Sequence, residues 1–389
     1  MNRLLISLVA LCAAVSASAQ YTYQDSYNKD VQTHVMRNTI NGRTEIIIPK
    51  VNGYTVFKAD LHAHTICSDG RVTPGYRVSE AWRDGLDVLA ITDHMEYRRY
   101  EPRYVEYLNG YFSEWVKVKN TTQNASEIKV DLNYSVRWAQ ETAEKYPVLI
   151  IPGAEVTRNS QEVGHYNALF TTDNNVIPDK DPLQSIRNAK AQGCLIQHNH
   201  PGERKTTVEM SMFEEMVYQE GLIDGVEIMN GQDFYPKIID RALERGLFMT
   251  SNTDIHTITE TDYYGPKLGR NMTLILAKEK TLESIREALE AKRTIVYSFD
   301  QLAGEESLLK DLFNASVSFS FVNKDNKKGT TTYTVTNSTS LPFIVSTGES
   351  NPQWIDPFTT VMLTSRNLKL EIVNMWCGEN SHPVVEVKF

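Results

Sequence analysis

Between positions 55 and 298, short apolar runs alternate with longer amphipathic stretches. The runs fall at 57–61, 88–92, 148–152, 166–170, 194–197, 225–229, 248–252 and 272–277. Apolar runs of this length, bounded by polar and turn-forming residues, read as buried strands. The stretches at 74–84, 132–145, 182–192, 235–245 and 282–292 carry their apolar residues at helical spacing. Thr281 is a candidate N-cap for the last, with Glu283 in its first turn, where the helix dipole favours negative charge. Such alternation indicates βα units and a largely parallel sheet. Seven or eight units in about 240 residues favour an α/β fold closed into a TIM-like barrel over an open sheet.

Three regions depart from this rhythm. Residues 93–132 are rich in Tyr, Arg and Asn and read as an insertion with short helices over the barrel mouth, a lid or substrate wall. Residues 20–54 form a polar lead-in, with an edge strand expected at 44–48. Beyond 301, strand-like runs at 317–322, 331–337, 342–346, 361–365, 369–374 and 384–389 are separated by Asn, Gly, Ser and Pro, the texture of a small β-sandwich. The expected division is a signal peptide at 1–19, the lead-in at 20–54, a barrel at 55–300 and a C-terminal β-sandwich at 301–389.

The signal reading rests on Arg3, an apolar run at 4–15 and Ala17-Ser18-Ala19 before Gln20. That run is short for a bilayer span, and Leu11 stands where a lipoprotein would need a small residue before Cys12. The mature chain is expected to be exported, periplasmic or extracellular, with no transmembrane segment. Cys67, Cys194 and Cys377 then remain, an odd number without a CxxC pair, which excludes a disulfide-stapled scaffold. The 389 residues carry a formal charge of −9, which argues against general nucleic-acid binding but leaves room for a local positive pocket around one phosphate. Oligomeric state is not legible.

Seven of the nine histidines lie between positions 62 and 256, and all but His165 stand at or just after the end of an expected strand. In a parallel barrel those ends converge on one face. His62 and His64 alternate along a strand and so point the same way. Asp69 precedes Gly70, as a turn residue often does; His94 and Glu155 close later strands. A carboxylate leaving an apolar strand, as Glu155 does, is costly unless paired or coordinated. His198 and His200 flank Asn199, and Asp254 and His256 form another alternating pair. Each motif alone is weak, but several strand ends supplying imidazole and carboxylate together indicate a metal site. Mixed ligands of this kind suit Zn²⁺, Mn²⁺ or Fe²⁺, and their number favours more than one ion.

Six motifs appear in order: DLHAHTICSDG at 60–70, ITDH at 91–94, PGAEVT at 152–157, GHYNAL at 164–169, HNHPG at 198–202 and NTDIH at 252–256. Over 55–298 this series resembles the PHP (polymerase and histidinol phosphatase) domain of metal-dependent phosphoesterases, and within it the exported phosphodiesterase branch with an added C-terminal β domain. The resemblance implies a distorted (β/α)7 barrel with a trinuclear metal centre. It places His62, His64, Glu155 and Asp254 on one ion, with Glu155 bridging to a second held by His165 and His200. Asp69, His94 and His256 would hold a third, Asp69 standing where some relatives use His. His198 becomes a candidate general acid or group behind the ligands, and Asp93 a candidate to orient His94 through its second ring nitrogen. Arg158, Lys205, Lys267 and Arg270 are candidate cations for phosphate oxygens.

The expected reaction is hydrolysis of small phosphate esters, diesters above all, by a metal-activated hydroxide with two or three divalent ions. An amidohydrolase-type enzyme attacking a carbonyl is the alternative, separable by cations around an anion site. A third reading is an inactive barrel acting as a binding protein.

Overall fold

All eight apolar runs form strands in the computed structural model, which describes residues 23–25, 28–34, 42–96, 98, 131–158, 162–263 and 269–389. The expected signal peptide, Lys267 and nearly all of the 93–132 insertion lie outside these residues. Two units are distinguished, Met1–Arg43 and Thr44–Phe389. In the first, strands Tyr23–Asp25 and Gln32–His34 pair antiparallel.

The second unit contains β1 (Thr55–Asp60), β2 (Val88–Ile91), β3 (Leu149–Val156), β4 (His165–Leu169), β5 (Leu195–Asn199), β6 (Gly225–Asn230), β7 (Phe248–Asn252) and β8 (Met272–Ala277). Two further strands, β9 (Thr294–Ser298) and β10 (Gln301–Gly304), extend one sheet of order β7-β6-β5-β4-β3-β2-β1-β8-β9-β10, with Met375–Trp376 added on β10. Helices α1 (Pro74–Arg83), α2 (Tyr134–Ala143), α3 (Pro182–Ala191), α4 (Met212–Gln219), α5 (Pro236–Arg245) and α6 (Leu282–Glu290) connect the strands. Their limits follow local chemistry. Thr73 caps α1 through Tyr76 N–H at 3.1 Å, and Thr281 caps α6 through Ser284 N–H at 3.2 Å. Pro236 opens α5, and Gly246 closes it in the left-handed conformation at φ 63°.

The sheet is mixed rather than largely parallel. β1-β2-β3 and β5-β6-β7 run parallel, but β4 is antiparallel to both neighbours, as β8 is to β1 and β9. Only residues 157–164 join β3 to β4, too few for a crossover helix, so the chain turns straight back. The sheet also curls. Beyond β7, Asp254 N–H donates to His62 carbonyl at 2.9 Å and His64 N–H to Ile255 carbonyl at 3.1 Å, stitching that segment to the chain leaving β1. The result is a mixed α/β fold around a curled sheet.

Inside the curl, Ala59, Leu61, Val88, Ala90, Ile151, Leu169, Leu195, Phe248 and Ile275 make one apolar cluster. Towards the ends of β1, β3, β5, β6 and β7 this gives way to buried polar groups, among them His62, Glu155, Asn199, Glu227 and Asn252. The boundary is close-packed at Gly225, where an added Cβ would lie 2.0 Å from the Phe248 ring.

After helix Glu306–Ser316, Val317–Asp325, Thr330–Asn337 and Thr360–Ser365 form a three-stranded antiparallel sheet. Gln353–Ile355, Phe343–Ser346, Lys369–Ile372 and Val384–Glu386 form a four-stranded one. Tyr333, Val335, Phe343, Ile355, Leu370 and Phe313 share a hydrophobic cluster across them. Residues 44–48 form no strand; Ile47 instead exchanges two 2.9 Å hydrogen bonds with Ser340. Cys67, Cys194 and Cys377 are free, and among the described residues no helix is long and apolar enough to cross a membrane.

Gly225→Ala is expected to lower stability by about 1–3 kcal/mol, the usual range for overpacking, as read by urea denaturation. An unchanged midpoint would contradict this packing.

Candidate metal centre

Glu155 stands at the end of β3, wholly buried, with imidazoles around both carboxylate oxygens. Its Oε1 lies 3.6 Å from His62 Nε2, 3.3 Å from His165 Nδ1 and 3.9 Å from His200 Nε2. Its Oε2 lies 3.6 Å from His64 Nε2 and 2.6 Å from His94 Nδ1. Asp254 Oδ1 approaches His62 Nε2 at 3.2 Å and His64 Nε2 at 3.0 Å, while its Oδ2 is 3.7 Å from His200. Asp69 Oδ1 lies 3.1 Å from His256 Nε2 and 3.4 Å from His94 Nε2.

All nine ligand candidates therefore share one cluster. Four groupings within it bring donor atoms close enough to hold an ion: His64, Asp69, His94 and His256; His62, His64 and Glu155; His62, His200 and Asp254; Glu155, His165 and His200. His165 belongs here because β4 is antiparallel, so its first residue is the one at the mouth. Asp254 and His200 hold left-handed backbone conformations, φ 53° and 25°, of the sort found where a site constrains the chain.

The electrostatics fit cation binding. Burial disfavours charge on these groups, yet for most of those that shift opposite charges outweigh it. His94, beside Glu155 and Asp69, has its pKa pushed up to about 10, and His62 is held well above its usual value by Asp254, Glu227 and Glu155. Glu155 is held far below the carboxylate range by His94, His62 and His165. His64 is the exception, brought down to about 4 by burial and by His94 and His256. Protons on imidazoles thus stand where cations can stand. Two buried oxygens, Glu155 Oε2 and Asp69 Oδ1, find no aligned hydrogen-bond donor among the described residues. Buried carboxylate oxygens without donors, facing imidazole nitrogens, are a donor set that divalent ions satisfy.

The remaining candidates are placed less simply. Asp93 spends its carboxylate on the 65–68 loop, accepting from Thr65 N–H at 2.7 Å, Thr65 hydroxyl at 2.7 Å and Ser68 hydroxyl at 2.6 Å. It shapes the loop between His64 and Asp69. His94 Nδ1 meets Thr157 hydroxyl at 2.7 Å in addition to Glu155. His198, beside Asn199 on β5, lines the same cavity as His165 and His200; its ring stacks on Tyr166 at 5.2 Å, with Nδ1 3.0 Å from Tyr218 hydroxyl and Nε2 3.3 Å from Glu214 Oε1. Burial lowers its pKa.

Arg158 pairs with Glu96 and donates to the carbonyls of Thr157 at 2.9 Å and Asp179 at 2.7 Å. With Arg204 and Lys205 it lines a cavity of about 720 Å³ that also opens on Asp69, His94, Glu155, His165, His200, Asp254 and His256. Arg270 is different. It is buried between Asp60 and Asp84 and braces the chain leaving β1, so it is no phosphate cation.

Three supporting residues escaped the sequence reading. Glu227 on β6 contacts His62 Nδ1 at 2.9 Å, and Asn199 donates to Glu155 Oε1 at 2.9 Å. Buried Arg77, on α1, donates to the carbonyls of His64, Ile255 and Thr257, tying the two ligand loops together. The signal for Glu227 was present: a carboxylate inside the apolar run 225–229.

This geometry agrees with the similarity to solved structures. A two-domain protein of Bacteroides vulgatus containing a predicted PHP-like metal-dependent phosphoesterase is 31% identical, with a TM-score of 0.75, over 89% of this chain and 99% of that one. The chain belongs to the PHP-like metal-dependent phosphoesterases, a family of hydrolases. A candidate metal-dependent phosphoesterase of Bifidobacterium adolescentis is 15% identical over 51% of this chain and 88% of that one, with a TM-score of 0.36. Endonuclease Q bound to a 27-mer duplex with an abasic lesion is 16% identical over 64% and 60%, with a TM-score of 0.40. These two overlaps are too slight to carry an argument. No family model and no curated protein matches the chain.

Because imidazole ligands must give up their protons, loading the protein with Mn²⁺ or Zn²⁺ is expected to release protons and to tighten as pH rises, by about tenfold per pH unit for each proton released. Calorimetry in buffers of different ionisation enthalpy reads this directly. Binding without proton release would contradict the charge arrangement.

Proposed function

We propose that this chain is an exported phosphoesterase that hydrolyses small phosphodiesters with two or three divalent ions, Zn²⁺, Mn²⁺ or Fe²⁺. The single observation carrying this reading is the gathering of six imidazoles and three carboxylates in one cluster, of which His94, His165, His200, His256 and all three carboxylates line a cavity that also presents Arg158, Arg204 and Lys205. Cations beside a metal-binding cluster suit a tetrahedral anion better than a neutral carbonyl, which favours phosphorus chemistry over the amidohydrolase alternative.

In this reading Glu155 would serve two ions, one with His62, His64 and Asp254 and one with His165 and His200, and Asp69, His94 and His256 would hold a third. The chemistry that bound ions supply is acidification of a water and neutralisation of phosphate oxygens. The chain contributes orientation. Asn199 fixes one oxygen of Glu155, and Arg158 and Lys205, held by Glu96 and Glu214, line the cavity where phosphate oxygens would stand. A volume of about 720 Å³ accommodates a phosphate with two substituents, which supports a diester. The same reading takes 55–300 as a distorted (β/α)7 barrel, 301–389 as a β-sandwich and 1–19 as a cleaved export signal.

The test is a metal-reconstituted assay with bis(p-nitrophenyl) phosphate, p-nitrophenyl phosphate and an amide panel. The diester is expected to turn over fastest, and Glu155→Ala is expected to lose both turnover and bound metal. Amide hydrolysis without phosphoester hydrolysis, or full metal content and activity in Glu155→Ala, would overturn the proposal.

A further inference from the structure

Glu227 has no exposed surface and, among the described residues, pairs with His62 rather than with a Lys or Arg, yet it sits at the polar end of the sheet. Its Oε1 lies 2.9 Å from His62 Nδ1 and accepts from Asn252 Nδ2 at 2.9 Å and Gln197 Nε2 at 3.3 Å. Its Oε2 accepts from the backbone N–H of His200 at 2.7 Å and from Asn230 Nδ2 at 2.8 Å. The side-chain amide of Asn252 is oriented independently, because its Oδ1 accepts from Leu61 N–H at 2.8 Å and turns its NH₂ towards Glu227.

The partners decide the chemistry. Both oxygens face N–H donors, one of them a backbone amide that cannot do otherwise, so the group acts as an ionised acceptor. A carboxylate in that state can take only a proton-bearing nitrogen from the imidazole. We infer that Glu227 is a positioning residue of the metal centre: it holds His62 as the Nδ1–H tautomer, directing the Nε2 lone pair at the ion shared with Glu155 and Asp254, and fixes His200 through its backbone.

The inference rests on the proposed metal assignment and adds what that assignment lacks, a reason for His62 to present one nitrogen. It also explains the carboxylate at this depth. An uncompensated buried Glu is costly, whereas one whose oxygens are filled by donors and whose charge faces cationic ligands is not. The conservative change Glu227→Gln keeps the shape but replaces one oxygen with an NH₂ group. Wherever that group points, it meets existing donors, either His200 N–H and Asn230 or His62, Asn252 and Gln197.

The experiment is metal titration of the wild type and Glu227→Gln, with chelator competition resolving each ion. The expected result is selective weakening, by about 10- to 100-fold, of ions that use His62 or His200, with the ion at Asp69, His94 and His256 unchanged. Equal weakening of all ions would mark a merely structural residue and overturn the inference, as would unchanged affinity throughout. Neutron diffraction from the metal-loaded wild type needs no variant: a deuteron on His62 Nδ1 is expected, and a deuteron on Nε2 would overturn it. A wild type that binds no divalent ion would instead overturn the metal assignment itself.

Discussion

The site depends on one constraint: a carboxylate buried at the end of β3 must be compensated. Glu155 has no exposed surface and five histidines within 4 Å of its oxygens, which arrive from β4 and from loops that follow β1, β2 and β5. Removing that charge from water is affordable only because the imidazoles, or the ions that displace their protons, neutralise it. The curl of the sheet serves this end, since only a curled sheet brings the segment after β7, with Asp254 and His256, alongside the one after β1, with His62 and His64.

Around that charge the chain builds a graded interior. Small and branched apolar residues fill one end of the curl, and amides and carboxylates that satisfy one another fill the other. Charge pairs hold the outer frame. Arg77 ties the loop carrying His64 to the one carrying His256, and Arg270 bridges Asp60 to Asp84 behind them. Backbone carbonyls hold Arg77 and two buried carboxylates hold Arg270, which makes both braces rather than substrate contacts.

Much of this was legible in the sequence, for physical reasons. Apolar runs mark strands because they must be buried, so β1 to β8 were each located to within a few residues, and among the described residues of 55–277 only the two-residue strand Asp233–Phe234 escaped. The ligand candidates were legible because polar residues closing apolar strands are rare without a purpose. Strand direction was not legible, since an antiparallel turn and a crossover begin with the same apolar run. His165 looked anomalous for that reason alone: it leads β4, and β4 runs the other way. The roles of Asp93, His198 and Arg270 depend on which face of an element each occupies and what waits there. Helix α4 and strand β10 were missed because their patterns are short, and Glu227 because its run was read as wholly apolar.

The most direct measurement is anomalous diffraction from crystals of the protein loaded with Mn²⁺ or Zn²⁺. The account predicts two or three strong peaks among Glu155, Asp254, Asp69 and their histidines, with Glu155 in contact with more than one. Density free of anomalous signal there, or peaks confined to surface carboxylates, would contradict it.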